Sequence, residues 1–364
     1  MSRVLVLTPT VDGRDGLSCL ARQFSTALAA ALPGTQVAVN TLAEARPASR
    51  EGIVRSHGAR GSRGRFALRA LADAAAADAD TVVVVLHAHL LGVAAPLVWR
   101  GASLVSVLVG VEAWRPCSAL QRRVYVRSSR VLAISAHTAQ EFRACNARLA
   151  AQPIDVCWPA TPPAAAASPS ACGPQPYALI VGRMSSDERY KGHDQLIDNW
   201  RSVRAAVPDA HLLIAGTGDD LPRLQARVHG LGLAEAVRFL GPVEPDVLSA
   251  LYRDAAMVAM PSAHEGFGYV FLEAMAAGRP CVGAHGSAQE IIDDGTTGFI
   301  VDREQPAALV SAITRLFADR DLGDRLGHAG RRRADTVFAF SRLVADLSRL
   351  VGPLTRPAPV LTSC

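Results

Sequence analysis

Lysine is almost absent from this chain: of its 38 basic residues 37 are Arg, and Lys191 is the only Lys. Aromatic residues are also scarce, at 5%, and none interleave with basic runs, so nucleic-acid binding is not expected. The seven cysteines, Cys19, Cys117, Cys145, Cys157, Cys172, Cys281 and Cys364, are scattered and form no C-x-x-C pair, which argues against a disulfide scaffold and a zinc site. No apolar run approaches the roughly 18 residues that span a bilayer, since the longest, such as Thr81 to Leu86, break at polar residues or glycine. The opening run Val4 to Leu7 is short for a signal peptide and has no small-residue cleavage site after it. It reads as a first buried strand, and the protein as cytoplasmic.

The remaining composition is globular, with 49% hydrophobic and 20% charged residues in 364, a length that suits two domains. Charge is uneven: residues 1 to 170 hold 18 Arg against 10 acidic residues, and the remainder is mildly acidic. A basic first half suits an anionic membrane surface or a phosphorylated acceptor, and equally a solvated face. The segment Glu44 to Arg69 carries Arg46, Arg50, Arg55, Arg60, Arg63, Arg65 and Arg69 with several glycines, and reads as a loop leading into a basic helix. It is the candidate membrane-surface or acceptor element.

Short β-branched runs alternate with helical patterns, the signature of parallel α/β sheets. Strands are expected near Val4–Thr8, Val37–Thr41, Thr81–Leu86, Leu104–Val109 and Val131–Ile134, then near Tyr177–Val181, His211–Ala215, Val237–Leu240, Ala256–Met260, Cys281–Gly283 and Gly298–Val301. The Pro- and Ala-rich stretch from Pro159 to Pro176 interrupts the series. The expected division is an N-terminal Rossmann-like domain over 1–160, a linker over 161–176, a second Rossmann-like domain over 177–335, and a helix with tail over 336–364 that crosses the domain junction. Two doubly wound domains place a ligand in the cleft between them, at the carboxyl ends of their strands.

Val181 runs into Gly182-Arg183, and a short loop leads to Lys191-Gly192. Arg binds phosphate bidentately and Lys acts as a point charge, so the pair suits a diphosphate. Further on, Met260 leads through Pro261, Glu265, Gly266, Phe267 and Gly268 into a helix carrying Tyr269, Val270 and Glu273. The helix start is an anion site. Carboxylates flanking it cannot profitably bind phosphate themselves, so Glu265 and Glu273 are expected to accept hydrogen bonds from hydroxyls, as sugars supply. Asp219-Asp220 and Asp293-Asp294 read as solvated turn residues and not as a metal site.

The residues Gly182, Arg183, Lys191 and Gly192, then Ala215-Gly216-Thr217-Gly218, Val237 to Gly241, Glu265 to Glu273, Gly286 to Ile291 and Asp294 to Phe299 closely resemble the donor-binding domain of retaining glycosyltransferases of family 4. That resemblance implies the GT-B fold, two Rossmann-like domains facing across a cleft, and transfer of a sugar from a UDP- or GDP-linked donor to an acceptor hydroxyl in cell-envelope, exopolysaccharide or glycolipid synthesis. It assigns Arg183 and Lys191 to the diphosphate with the amides near Gly268, Tyr269 and Val270, Glu265 to the donor sugar at the reacting centre, Glu273 to the ribose, and Arg238, Phe239 and Leu240 to the base. Gly216, Gly266 and Phe267 fall in the same donor-binding motifs. No metal or other cofactor is expected, since two cations and a helix end do that work.

In the first half the resemblance is looser. It makes Asp12 to Gly16 a glycine loop, with Gly16 the contact to the donor phosphates and acceptor. Relatives place a sugar-contacting His where this chain has Val109; His87 or His89 could substitute, and His89 is preferred. The partners implied are a nucleotide sugar and a saccharide or lipid-linked acceptor, with peripheral attachment to the inner membrane face. A non-catalytic nucleotide-sugar-binding protein and a sugar-nucleotide epimerase on the same fold are the rival readings.

Overall fold

The structure, a computed structural model, describes residues 2–164, 166 and 176–355. Most of the expected linker and the tail 356–364, with Cys172 and Cys364, lie outside the described residues. The chain divides into two units, Met1–Ala160 with Phe338–Cys364, and Thr161–Val337.

The first unit holds a seven-stranded parallel sheet made of β1 (Arg3–Thr8), β2 (Gln36–Thr41), β3 (Ile53–Gly58), β4 (Thr81–Val85), β5 (Ser103–Leu108), β6 (Arg130–Ala133) and β7 (Asp155–Val156), in the order β3-β2-β1-β4-β5-β6-β7. The central strands β1 and β4 are continuous apolar runs because helices cover both of their faces, and Val4 to Leu7 and Val82 to Val85 are at most 1% exposed. The helix Phe340–Val351 returns to this unit and packs its Leu343, Leu347 and Leu350 against the helix Gly16–Ala31. Arg342 fixes its start by donating to the carbonyls of Trp158 (2.8 Å) and Pro159 (2.9 Å).

One expectation is corrected here. The stretch from Glu44 to Arg69 does lead into a basic helix, Arg63–Ala75, capped by Ser62, but what precedes it is not only loop: it contains the edge strand β3. An edge strand exposed at Val54 and Arg55 has no apolar alternation to announce it.

The second unit holds a six-stranded parallel sheet of β8 (Tyr177–Val181), β9 (His211–Ala215), β10 (Val237–Gly241), β11 (Met257–Met260), β12 (Cys281–Ala284) and β13 (Gly298–Val301), ordered β10-β9-β8-β11-β12-β13. In each sheet the order reverses once, between β1 and β4 and between β8 and β11. Loops leaving the carboxyl ends of such a strand pair diverge to opposite faces and leave a crevice between them, which is where open α/β sheets bind ligands. Each unit is a doubly wound parallel sheet, as the GT-B expectation requires.

Candidate functional site

At the reversal in the second unit, the loop after β8 carries Arg183 and Lys191, and the loop after β11 carries Glu265. Their ends are zipped together. The Ala263 amide donates to the Tyr190 carbonyl (2.9 Å), the Tyr190 and His264 rings meet edge to face with centroids 5.5 Å apart, and Lys191 Nζ lies 3.4 Å from Glu265 Oε2. Both side chains of that ion pair are largely covered, at 17% and 24% exposure. Gly192 makes the junction possible: its φ is +96°, and a Cβ there would stand 2.8 Å from the Pro261 ring. Arg183, by contrast, is 70% exposed and pairs with Glu188 at 2.6 Å.

The loop after β9 clamps the loop after β8. Asp219 accepts from the Ser186 amide (3.1 Å) and hydroxyl (2.5 Å), while Asp220 accepts from Arg189 (3.1 Å) and Arg223 (2.5 Å). Asp220 is 5% exposed and its carboxyl is held below the usual range, first by the hydrogen bond from Arg223. Asp219 is the exposed turn residue expected of it, whereas Asp220 is buried, which corrects its reading as solvated; both anchor the cation-bearing loop. Asp293 and Asp294 are exposed, and Asp294 accepts from the Ile300 amide at 2.9 Å. Gly216, at φ +134°, allows the β8 and β9 ends to touch, since a Cβ would lie 2.0 Å from the Gly182 carbonyl oxygen.

Gly268 caps the helix Tyr269–Ala276, preceded by the partly buried Gly266 and the buried Phe267; Val270 faces the interior and Tyr269 is partly exposed. Glu273, in the second turn, points inward and accepts from the buried Tyr252 hydroxyl at 2.6 Å. Burial raises its carboxyl above the usual range, against the pull of that hydrogen bond. Tyr252 was not read from the sequence because it lies on another helix, Pro245–Asp254. Arg238, Phe239 and Leu240 sit on the edge strand β10, Arg238 exposed and the other two partly buried.

In the first unit, Gly16 is exposed and opens the helix Gly16–Ala31, which Asp15 caps through the Ser18 amide (3.0 Å). The loop before it is shaped by a residue that sequence reasoning missed. Glu44 Oε1 accepts from the Thr10 hydroxyl (2.7 Å) and the Val11 and Asp12 amides (2.7 and 3.0 Å). Burial alone would raise its carboxyl, but these donors outweigh it and hold the group below its usual range. His89, on a 3-10 turn after β4, is exposed, and its amide donates to His87 Nδ1 (3.3 Å), with the two rings 4.8 Å apart. His87 is mostly covered and held down to about 4, first by burial and then by the neighbouring His89. Glu112, after the adjacent strand β5, accepts from the Gly110 amide (3.2 Å), and burial raises its carboxyl.

Comparison with known proteins bears on this geometry. Residues 175–319 match the family model described as glycosyl transferases group 1. A GDP-mannose-dependent alpha-(1-6)-phosphatidylinositol monomannoside mannosyltransferase of Mycobacterium tuberculosis is 36% identical over 184 residues, covering 48% of this chain and 47% of that protein. The chain thus spans about half the length of that curated relative. Among solved structures, a sucrose-phosphate synthase from Thermosynechococcus elongatus has a TM-score of 0.76 at 20% identity, covering 97% of this chain and 99% of its own. Anabaena Alr3699/HepE, in complex with UDP and glucose, has a TM-score of 0.72 at 19% identity, covering 97% and 100%.

Proposed function

We propose, from the premise that this chain belongs to the glycosyl transferases group 1 family through residues 175–319, that it is a retaining glycosyltransferase using a nucleoside diphosphate sugar. The observation that carries this reading is the juxtaposition of Lys191 with Glu265 where the strand order reverses between β8 and β11. A cation and a carboxylate side by side match the two ends of one ligand, an anionic diphosphate and a hydroxyl-rich sugar. Lys191 and Arg183 hold the diphosphate with the amides of Gly268, Tyr269 and Val270, and Gly216 lets backbone approach it. Glu265 accepts from the sugar, with Gly266 and Phe267 shaping the turn beside it. Tyr252 holds one oxygen of Glu273, and the other is assigned to a ribose hydroxyl. The edge-strand residues Arg238, Phe239 and Leu240 flank the base.

The acceptor hydroxyl forms a bond to the anomeric carbon on the face from which the diphosphate leaves, and a departing phosphate oxygen takes the hydroxyl proton. Charge develops on the leaving group, where fixed cations and amides stabilise it most, so no metal or other cofactor is required. In the first unit, His89 and the loop reaching Gly16 are assigned to the sugar and acceptor. The donor is UDP- or GDP-linked.

The test is slow donor hydrolysis across a panel of UDP- and GDP-sugars. Release of nucleoside diphosphate from one donor, abolished in Lys191→Ala, is the expected result; tight nucleotide binding with no turnover, even with saccharide acceptors added, would favour the non-catalytic reading.

The acceptor is proposed to be lipid-linked and the protein peripheral to an anionic membrane, in support of cell-envelope or exopolysaccharide synthesis. No helix among the described residues is long and apolar enough to cross a membrane. The helix Arg63–Ala75 buries Phe66, Ala70 and Ala74 but turns Leu68 and Leu71 outward, at 68% and 51% exposure. Arg55, Arg60, Arg63 and Arg65 stand exposed around and before this stripe, an arrangement that suits anionic headgroups. Sedimentation with vesicles is expected to rise with anionic lipid content and to fall in Leu68→Ser/Leu71→Ser; binding indifferent to lipid charge would overturn this part.

A further inference from the structure

Both cations assigned to the diphosphate are already paired with carboxylates of the chain: Lys191 with Glu265, and Arg183 with Glu188. The two pairs are built differently. In the first, both partners are largely covered. In the second, the carboxylate is the anchored partner, at 18% exposure, and the guanidinium is the free one, at 70%. Glu188 belongs to the 3-10 segment Ser186–Lys191, whose backbone is tied down by Ser186 to Asp219 and by Arg189 to Asp220. Tyr190, two residues on, feels both carboxylates: its hydroxyl is pushed up to about 12 by burial, then by Glu188 and Glu265.

A carboxylate and a phosphate present the same chemistry to an Arg, a planar or near-planar pair of anionic oxygens for its fork. They cannot share it at no cost, because the two anions repel. We infer that Glu188 is an internal stand-in for a phosphate: it occupies Arg183, is displaced when the donor diphosphate arrives, and returns to Arg183 as the nucleoside diphosphate leaves. Glu188 thereby lowers the affinity for both donor and product, and it favours product release. The exchange is inexpensive because exposed ion pairs are weak, and Arg183 can swing while Glu188 stays in place. The inference rests on the proposed function, since it needs a diphosphate ligand.

The test is calorimetric binding of UDP and GDP, without sugar, to the full chain and to Glu188→Gln, Arg183→Ala and the double variant. For the nucleotide that the wild-type chain binds, Glu188→Gln is expected to tighten binding about three- to fivefold, the factor an exposed pair can supply. The double variant should bind like Arg183→Ala alone, because the gain acts only through Arg183. Unchanged or weaker binding by Glu188→Gln, at an unchanged melting temperature, would overturn the inference and make Glu188 a residue that orients Arg183. A gain that persists in the double variant would also overturn it. If the wild-type chain and every variant fail to bind either nucleotide, the glycosyltransferase reading falls and the stand-in role falls with it.

Discussion

Lys191→Ala is expected to lower donor turnover by about two to three orders of magnitude, the usual loss when one preorganised charge is removed from a developing anion. Three features of the structure support a loss of that size. Lys191 is covered and held against Glu265, so its charge acts where water screens it poorly. The turn that places it is fixed, with Gly192 at φ +96° and packed against Pro261. It is also the only Lys in the sequence, and the other cation assigned to the diphosphate, Arg183, is 70% exposed, where water screens its charge more strongly. Lys191→Arg should rescue little, because the Lys191 stem runs beside Gly182, with its Cδ 3.5 Å from where a Cβ on that glycine would be, and the wider guanidinium must reseat there. The comparison variant is Arg331→Ala, whose 63% exposed side chain has only a marginal pair with Asp335. If Lys191→Ala keeps more than a tenth of the wild-type rate at saturating donor, Lys191 does not stabilise the leaving group.

The second unit was the more legible half, for a physical reason. Its site is built from loops at strand ends, where backbone approaches backbone, and such loops need particular glycines at particular spacings. Gly216 against the Gly182 carbonyl is one of these points, so the motif survives in the sequence as a pattern. Side chains whose role depends on a partner from another strand leave no such trace. Glu44 reads as one acidic residue in an Arg-rich stretch until the fold brings it to the amides of Val11 and Asp12. Asp220 looks like half of a turn, and its covering partner Arg189 lies 31 positions away. Tyr252 and Glu273 meet only because their two helices pack together. The strand β3 was hidden for the opposite reason: at a sheet edge, Arg and exposed Val satisfy the backbone as well as an apolar alternation would.

Acid should weaken the second unit from about pH 6.5 downward, through His193. This residue opens the helix His193–Ala206 directly after Gly192, is 3% exposed, and has an Nε2 with no hydrogen-bond partner among the described residues. Its imidazole is held down to about 4, first by burial and then by the Lys191 charge, with Arg223 acting in the same direction and Asp194 and Asp220 opposing. The start of a helix adds a further positive field. In the unfolded chain the same ring titrates near its ordinary value of about 6.5. Between these two values the unfolded state binds a proton that the folded state refuses. Stability is therefore complete above about pH 6.5 and is lost as pH falls toward the folded value, by about 2 kcal/mol at pH 5. Urea unfolding of the full chain at pH 7 and pH 5 tests this against His193→Gln. The variant should be the less stable protein at pH 7 and should close the gap by about 2 kcal/mol at pH 5, because it has no ring to protonate. Parallel losses in both proteins would show that His193 does not set the acid limit.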